Sequence, residues 1–94
     1  MFSGGDYEEV ARWLSNFLTA HAKRENVHAE VELKAGEERE GTSYAVRVRL
    51  GDKLTAPIEF EFADVARNRG SLEWCATLAA RVREVVRDLG AVAA

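Results

Sequence analysis

Three runs between residues 27 and 63 decide the fold: VHAEVELK (27–34), SYAVRVRL (43–50) and TAPIEFEFA (55–63). Apolar and polar side chains alternate in each, the pattern of strands buried on one face. In the first, Val27, Ala29, Val31 and Leu33 turn one way and His28, Glu30, Glu32 and Lys34 the other. In the second, Tyr44, Val46, Val48 and Leu50 point inward and Arg47 and Arg49 outward. In the third, Ala56, Ile58, Phe60 and Phe62 point inward and Glu59 and Glu61 outward. The connections, 35–42 with its glycines Gly36 and Gly41 and 51–54, are short enough for hairpins.

The outward faces read acidic, basic, acidic in chain order. Opposite charges across neighbouring strands contribute roughly 0.2–1 kcal/mol per pair, and like charges cost similar amounts. This favours the order 1-2-3 with the run 43–50 in the centre, antiparallel to both neighbours. Placing Leu33 opposite Tyr44 sets Val31 against Val46 and Glu30 against Arg47. A slip of two residues would keep the same inward face. Pro57 cannot donate to a ladder and suits an edge strand. Glu59 and Glu61 interrupt the aggregation-prone IEFEF.

Upstream, Asp6 and Glu9 have the spacing of a helix N-terminal capping box. Tyr7, Val10, Ala11, Leu14, Phe17, Leu18 and His21 then form one stripe of a 3.6-period helix that ends near 24–25. Asn26 is placed to take the left-handed position after the helix end. Downstream, Asp64 is placed to cap a short helical turn ending at Gly70. Ser71 caps a longer helix, 72–89, stopped by Gly90. Its apolar arc comprises Leu72, Cys75, Leu78, Ala79, Val82, Val85, Val86 and Leu89, and it lies over the apolar face of the sheet. Trp13 and Trp74 fall on the rims of their helices' apolar stripes. With ample aliphatic cover already available to the sheet, at least one indole is expected on an outer rim, as part of an exposed interaction surface.

The chain has 94 residues, one domain's worth, with an ordered core expected at about 6–89 and a flexible tail at 90–94. Net charge is −3, which supplies no strong field toward nucleic acid or an anionic membrane. No apolar stretch approaches the roughly 20 residues of a membrane span. The start, MFSGGDYEE, has neither the basic opening nor the apolar run of a secretory signal, so a cytoplasmic location is expected. The one cysteine, Cys75, excludes an intramolecular disulfide and a cysteine-based zinc cluster. On the apolar arc it reads as a buried, unreactive thiol with a raised pKa.

Signatures of catalysis are missing. GxxxxGK[ST], GxGxxG, HExxH, CxxC and GxSxG do not occur. Glu59 and Glu61 lie about 6–7 Å apart if both project from one strand face, a span that overlaps the separation of glycosidase acid–base pairs. An open face beside arginines, however, keeps both ionised. His21 sits near the end of the first helix, where the dipole favours an imidazolium. With His28 on a strand it does not form a metal-ligand spacing. No cofactor, metal or catalytic residue is expected.

The order helix–strand–strand–strand–helix resembles, as topology, the double-stranded-RNA-binding domain across residues 6–89. In that family a basic first hairpin and lysines opening the last helix meet the RNA. Here the hairpin is AGEEREG (35–41) and the helix opens SLEWCAT (71–77), with Arg67 and Arg69 the basic residues nearby. The architecture is also similar to small secretion chaperones, which bind unfolded protein segments as dimers.

The expected fold is an α+β, α-β-β-β-α two-layer sandwich: a three-stranded antiparallel meander with both long helices on one face. The expected function is a non-catalytic protein-interaction or self-association module, with Trp13 and Trp74 as the candidate interaction surface and a protein partner or homodimer. The alternative is a nucleic-acid binder with the RNA-domain topology.

Overall fold

A computed structural model describes residues 6–35 and 41–92. The elements are α1 (Tyr7–Glu25), β1 (Glu30–Lys34), β2 (Ser43–Leu50), β3 (Lys53–Leu54), β4 (Ile58–Glu61), α2 (Phe62–Asn68) and α3 (Leu72–Val92). β2 is the central strand, antiparallel to β1 on one side and to β3 and β4 in succession on the other. The sheet is therefore the expected meander with its third strand in two pieces, and both long helices pack on its apolar face. The acidic centre of the first hairpin, residues 36–40, and the last two residues of the expected tail lie outside the described residues.

The two pieces of the third strand are separated by a bulge. Val46 pairs with Ile58 and Arg49 with Leu54, so two residues on β2 face three, Thr55, Ala56 and Pro57, on the other side. One extra residue breaks the ladder and reverses the alternation of faces. Leu54 and Ala56 are consequently exposed, where strict alternation placed Ala56 inward. Thr55 bridges the break: its N–H donates to the Val48 carbonyl at 3.0 Å, and its hydroxyl accepts from the Val48 N–H at 3.0 Å. Pro57 has no donor to lose and sits in the gap. The β2–β3 turn narrows to Gly51 and Asp52, with Gly51 at φ +65°, a conformation that a side chain would strain.

The β1–β2 register is the two-residue slip, with Leu33 opposite Val46, Val31 opposite Val48 and Glu32 opposite Arg47. The inward face is the same in either register. In the observed one Glu30 lies opposite Arg49, and Glu32 and Arg49 form an ion pair. β1 begins at Glu30 rather than 27 because Asn26 holds a turn. Its side-chain oxygen accepts from the His28 N–H at 2.9 Å and its carbonyl from the Ala29 N–H at 3.0 Å. Asn26 is extended (φ −153°) rather than left-handed, and Val27 is left 70% exposed.

At its start α1 is capped as expected, the Asp6 carboxylate accepting from the Glu9 N–H at 2.7 Å. At α2 the cap position falls to Glu61, whose side chain makes no capping bond. Asp64 lies inside the first turn, and its backbone carbonyl accepts from the Asn68 amide. The Ser71 hydroxyl caps α3 by accepting from the Trp74 N–H at 3.2 Å. Gly90 does not stop α3, which continues to Val92. Its φ is not positive, and a Cβ there would lie 3.7 Å from Leu50.

Val10, Leu14, Leu18 and Ala22 of α1 interlock in the core with Tyr44, Val46 and Val48 of β2, Val65 of α2, and Leu78, Val82 and Val86 of α3. Tyr44 is the largest fully buried side chain. Its hydroxyl donates to the Tyr7 carbonyl at 2.7 Å, its ring stacks on Tyr7 at 4.7 Å, and Phe62 meets both rings edge-on. Phe60 and Cys75, expected fully inside, are half-buried, and Leu72 is 89% exposed. Leu72 opens α3 immediately after its cap, beyond the reach of the sheet.

Candidate functional site

α1 and α3 run side by side in the same direction. Trp13 and Trp74, both early in their helices, meet at one end. At the other, Glu25 pairs with Arg83 and Arg87 at 3.5 and 3.3 Å. Those bonds, that to Arg87 first, hold the Glu25 carboxyl below its ordinary value.

The indoles of Trp13 and Trp74 stack with centroids 6.4 Å apart and planes at 28°. They converge rather than diverge, contrary to the expectation that at least one would stand on an outer rim. Phe17 stacks on Trp13 at 5.0 Å, and His21 packs against Phe17 at 4.5 Å. Residues 13, 17 and 21 recur at i+4, so the helix alone aligns them into a column. All four side chains are half-buried, which leaves part of each ring open.

Burial first, then Arg24 and Arg83, lowers the pKa of His21. The shift favours the neutral imidazole, against the imidazolium expected from the helix dipole. Burial likewise raises the pKa of Cys75, whose thiol lies 3.4 Å from the Arg69 carbonyl.

Trp74 has a second neighbourhood. With Phe60, Leu78 and Thr77 it lines an open groove of about 290 Å³ between α3 and β4. Glu59, Glu61 and Asp64 also line it, together with Arg81, so carboxylates outnumber cations there. At about 290 Å³ it lies at the lower edge of the range for small-molecule sites, roughly 300–1,000 Å³. Open and shallow, it suits one or two protruding side chains better than an enclosed ligand.

Among the described residues no charged side chain is buried, and no buried side-chain polar atom lacks a hydrogen-bond partner, the Tyr44 hydroxyl included. No group of three or more His, Cys, Asp or Glu side chains among them is placed to hold a metal ion. The basic residues corresponding to an RNA-binding helix start are few, and Arg69 is engaged with Glu9 at 3.0 Å. No helix among the described residues is long and apolar enough to cross a membrane. No family model, curated protein or solved structure matches the chain.

The i+4 spacing of Trp13, Phe17 and His21 was available in the sequence. The meeting of Trp13 with Trp74 was not, because it depends on the relative direction and crossing of two helices. The groove was missed for a related reason. Phe60 and Trp74 each read as a core or rim residue of its own element, and nothing local brings them together with Asp64.

Proposed function

We propose that this chain is a non-catalytic protein-interaction module of the cytoplasm. It binds a protein partner, or a second copy of itself, through the surface where Trp13 and Trp74 meet. The observation that carries this reading is the half-buried Trp13–Trp74 stack, continuous through Trp74 with an open groove. Large aromatics that remain partly exposed at a concave surface are typical anchors of protein interfaces. Catalytic carboxylates and histidines need burial or crowding to tune them. Glu59 and Glu61 are exposed, without that burial, which supports a binding role over chemistry for this face.

The test is photo-cross-linking in cells from a benzoylphenylalanine substituted for Thr77, which is exposed on the groove wall. Protein adducts are expected, absent from a control probe at the exposed Asp52. Adducts confined to RNA would transfer the reading to a nucleic-acid binder, and adducts no more abundant than at Asp52 would refute an interaction at this surface.

A further inference from the structure

We propose that the groove between α3 and β4 receives a basic segment of a partner protein: a lysine or arginine flanked by an apolar residue. The proposal rests on the interaction-module reading and names the chemistry of the partner.

Charge complementarity selects this occupant. Among the described residues, Glu59, Glu61 and Asp64 line the groove with one cation, Arg81, while Trp74 and Phe60 supply apolar surface. An arginine or lysine stem packs along aromatic surface while its charged head reaches carboxylates, and a cation over an indole face gains further attraction. An acidic segment would meet like charge. The outer face of the sheet already shows the same preference internally, since Arg47 and Arg49 of β2 stand opposite Glu32 and Glu30 of β1. A second copy docking β4 against β4 in antiparallel fashion would bring Glu59 and Glu61 against glutamates, which disfavours that pairing.

The test uses the full chain and three synthetic hexapeptides, Ac-ALKVKA-NH₂, Ac-ALEVEA-NH₂ and Ac-ASKSKA-NH₂, followed by two-dimensional nitrogen–proton NMR and by light scattering. The basic–apolar peptide is expected to shift the Trp74 indole N–H and the amides of Glu61 and Thr77, with a dissociation constant of about 10⁻⁵–10⁻³ M for so small a contact. Its affinity should fall as salt rises. Glu61→Lys combined with Asp64→Lys, both at exposed positions, should weaken it about tenfold without altering the rest of the spectrum. The acidic peptide should not bind, and the serine peptide should bind more weakly than the basic–apolar one. Equal binding of the acidic peptide, insensitivity to the double substitution, or shifts centred elsewhere would overturn the proposal. So would a dimer that the double substitution converts to monomer, which would make the occupant a second copy. No peptide binding alongside protein adducts at position 77 sinks this inference alone. Peptide binding without adducts sinks the cellular interaction reading instead.

Discussion

Replacing Thr55 by valine removes one hydroxyl from the bulge in the third strand and tests how the sheet survives the break. Val48 is fully buried, and its N–H finds its acceptor in the Thr55 hydroxyl at 3.0 Å. Valine has nearly the same shape and at least equal strand preference, so packing and propensity change little. What changes is that a buried donor loses its acceptor, a loss of about 1–3 kcal/mol. For a domain of this size each kcal/mol lowers the melting temperature by about 4–8 °C. Thr55→Ser is the control: it keeps the hydroxyl and gives up one methyl, at most about 0.8 kcal/mol. Urea unfolding followed by circular dichroism, with the slope unchanged, reads both values. The expected order of stability is wild type, then Thr55→Ser, then Thr55→Val. A valine variant as stable as the serine variant would show that the hydroxyl does not hold the bulge.

Leu14→Ala, at a fully buried α1 position, should cost about 2.7–5 kcal/mol. Phe60→Ala, half-buried beside the groove, should cost less than the 3–5 kcal/mol of a core phenylalanine, and the same urea titrations rank the two. Because His21 is held below its ordinary value of 6.5, the unfolded chain takes up this proton first as pH falls. Its contribution to stability is thus complete above about pH 6.5 and declines below it. In melts across pH 7.5–5, His21→Asn should flatten that part of the profile, and an unchanged slope would assign it to other groups. Duplex RNA at physiological salt should bind no more tightly than about 10⁻⁴ M in a fluorescence titration; a micromolar, steeply salt-dependent complex would favour the alternative function.

The α+β architecture was legible because period-2 and period-3.6 patterns are local, and the alternating charges pointed to the right strand order, although only Glu30 and Glu32 face the arginines of β2 while Glu59 and Glu61 stand opposite Ala45 and Ser43. The register was less so. Slipping β1 by two residues leaves Val31 and Leu33 inward, so hydrophobicity does not distinguish the two pairings. Charge does, because the observed register opposes Glu30 to Arg49 and Glu32 to Arg47, whereas the expected one opposes only Glu30 to Arg47. The bulge at 55–57 was hidden because the apolar alternation of TAPIEFEFA runs straight through it. Only the choice of the Thr55 hydroxyl as a ladder acceptor reveals the break. Gly90 illustrates the opposite error: glycine weakens a helix by about 1 kcal/mol relative to alanine, which is not enough to end one packed beside Leu50. Trp13 and Trp74 could be placed on helix rims from sequence, but which rims face each other is a property of the assembled layer.

The interaction surface itself is tested most directly by repeating the position-77 cross-link in chains carrying Trp13→Ala or Trp74→Ala. Each substitution removes half of the stacked pair at a half-buried position, and the far-ultraviolet circular dichroism spectrum verifies that the fold is kept. If the stacked indoles anchor the partner, the protein adduct is lost in both variants while the spectrum is unchanged. An adduct that persists at wild-type yield in folded Trp13→Ala and Trp74→Ala chains would contradict the account.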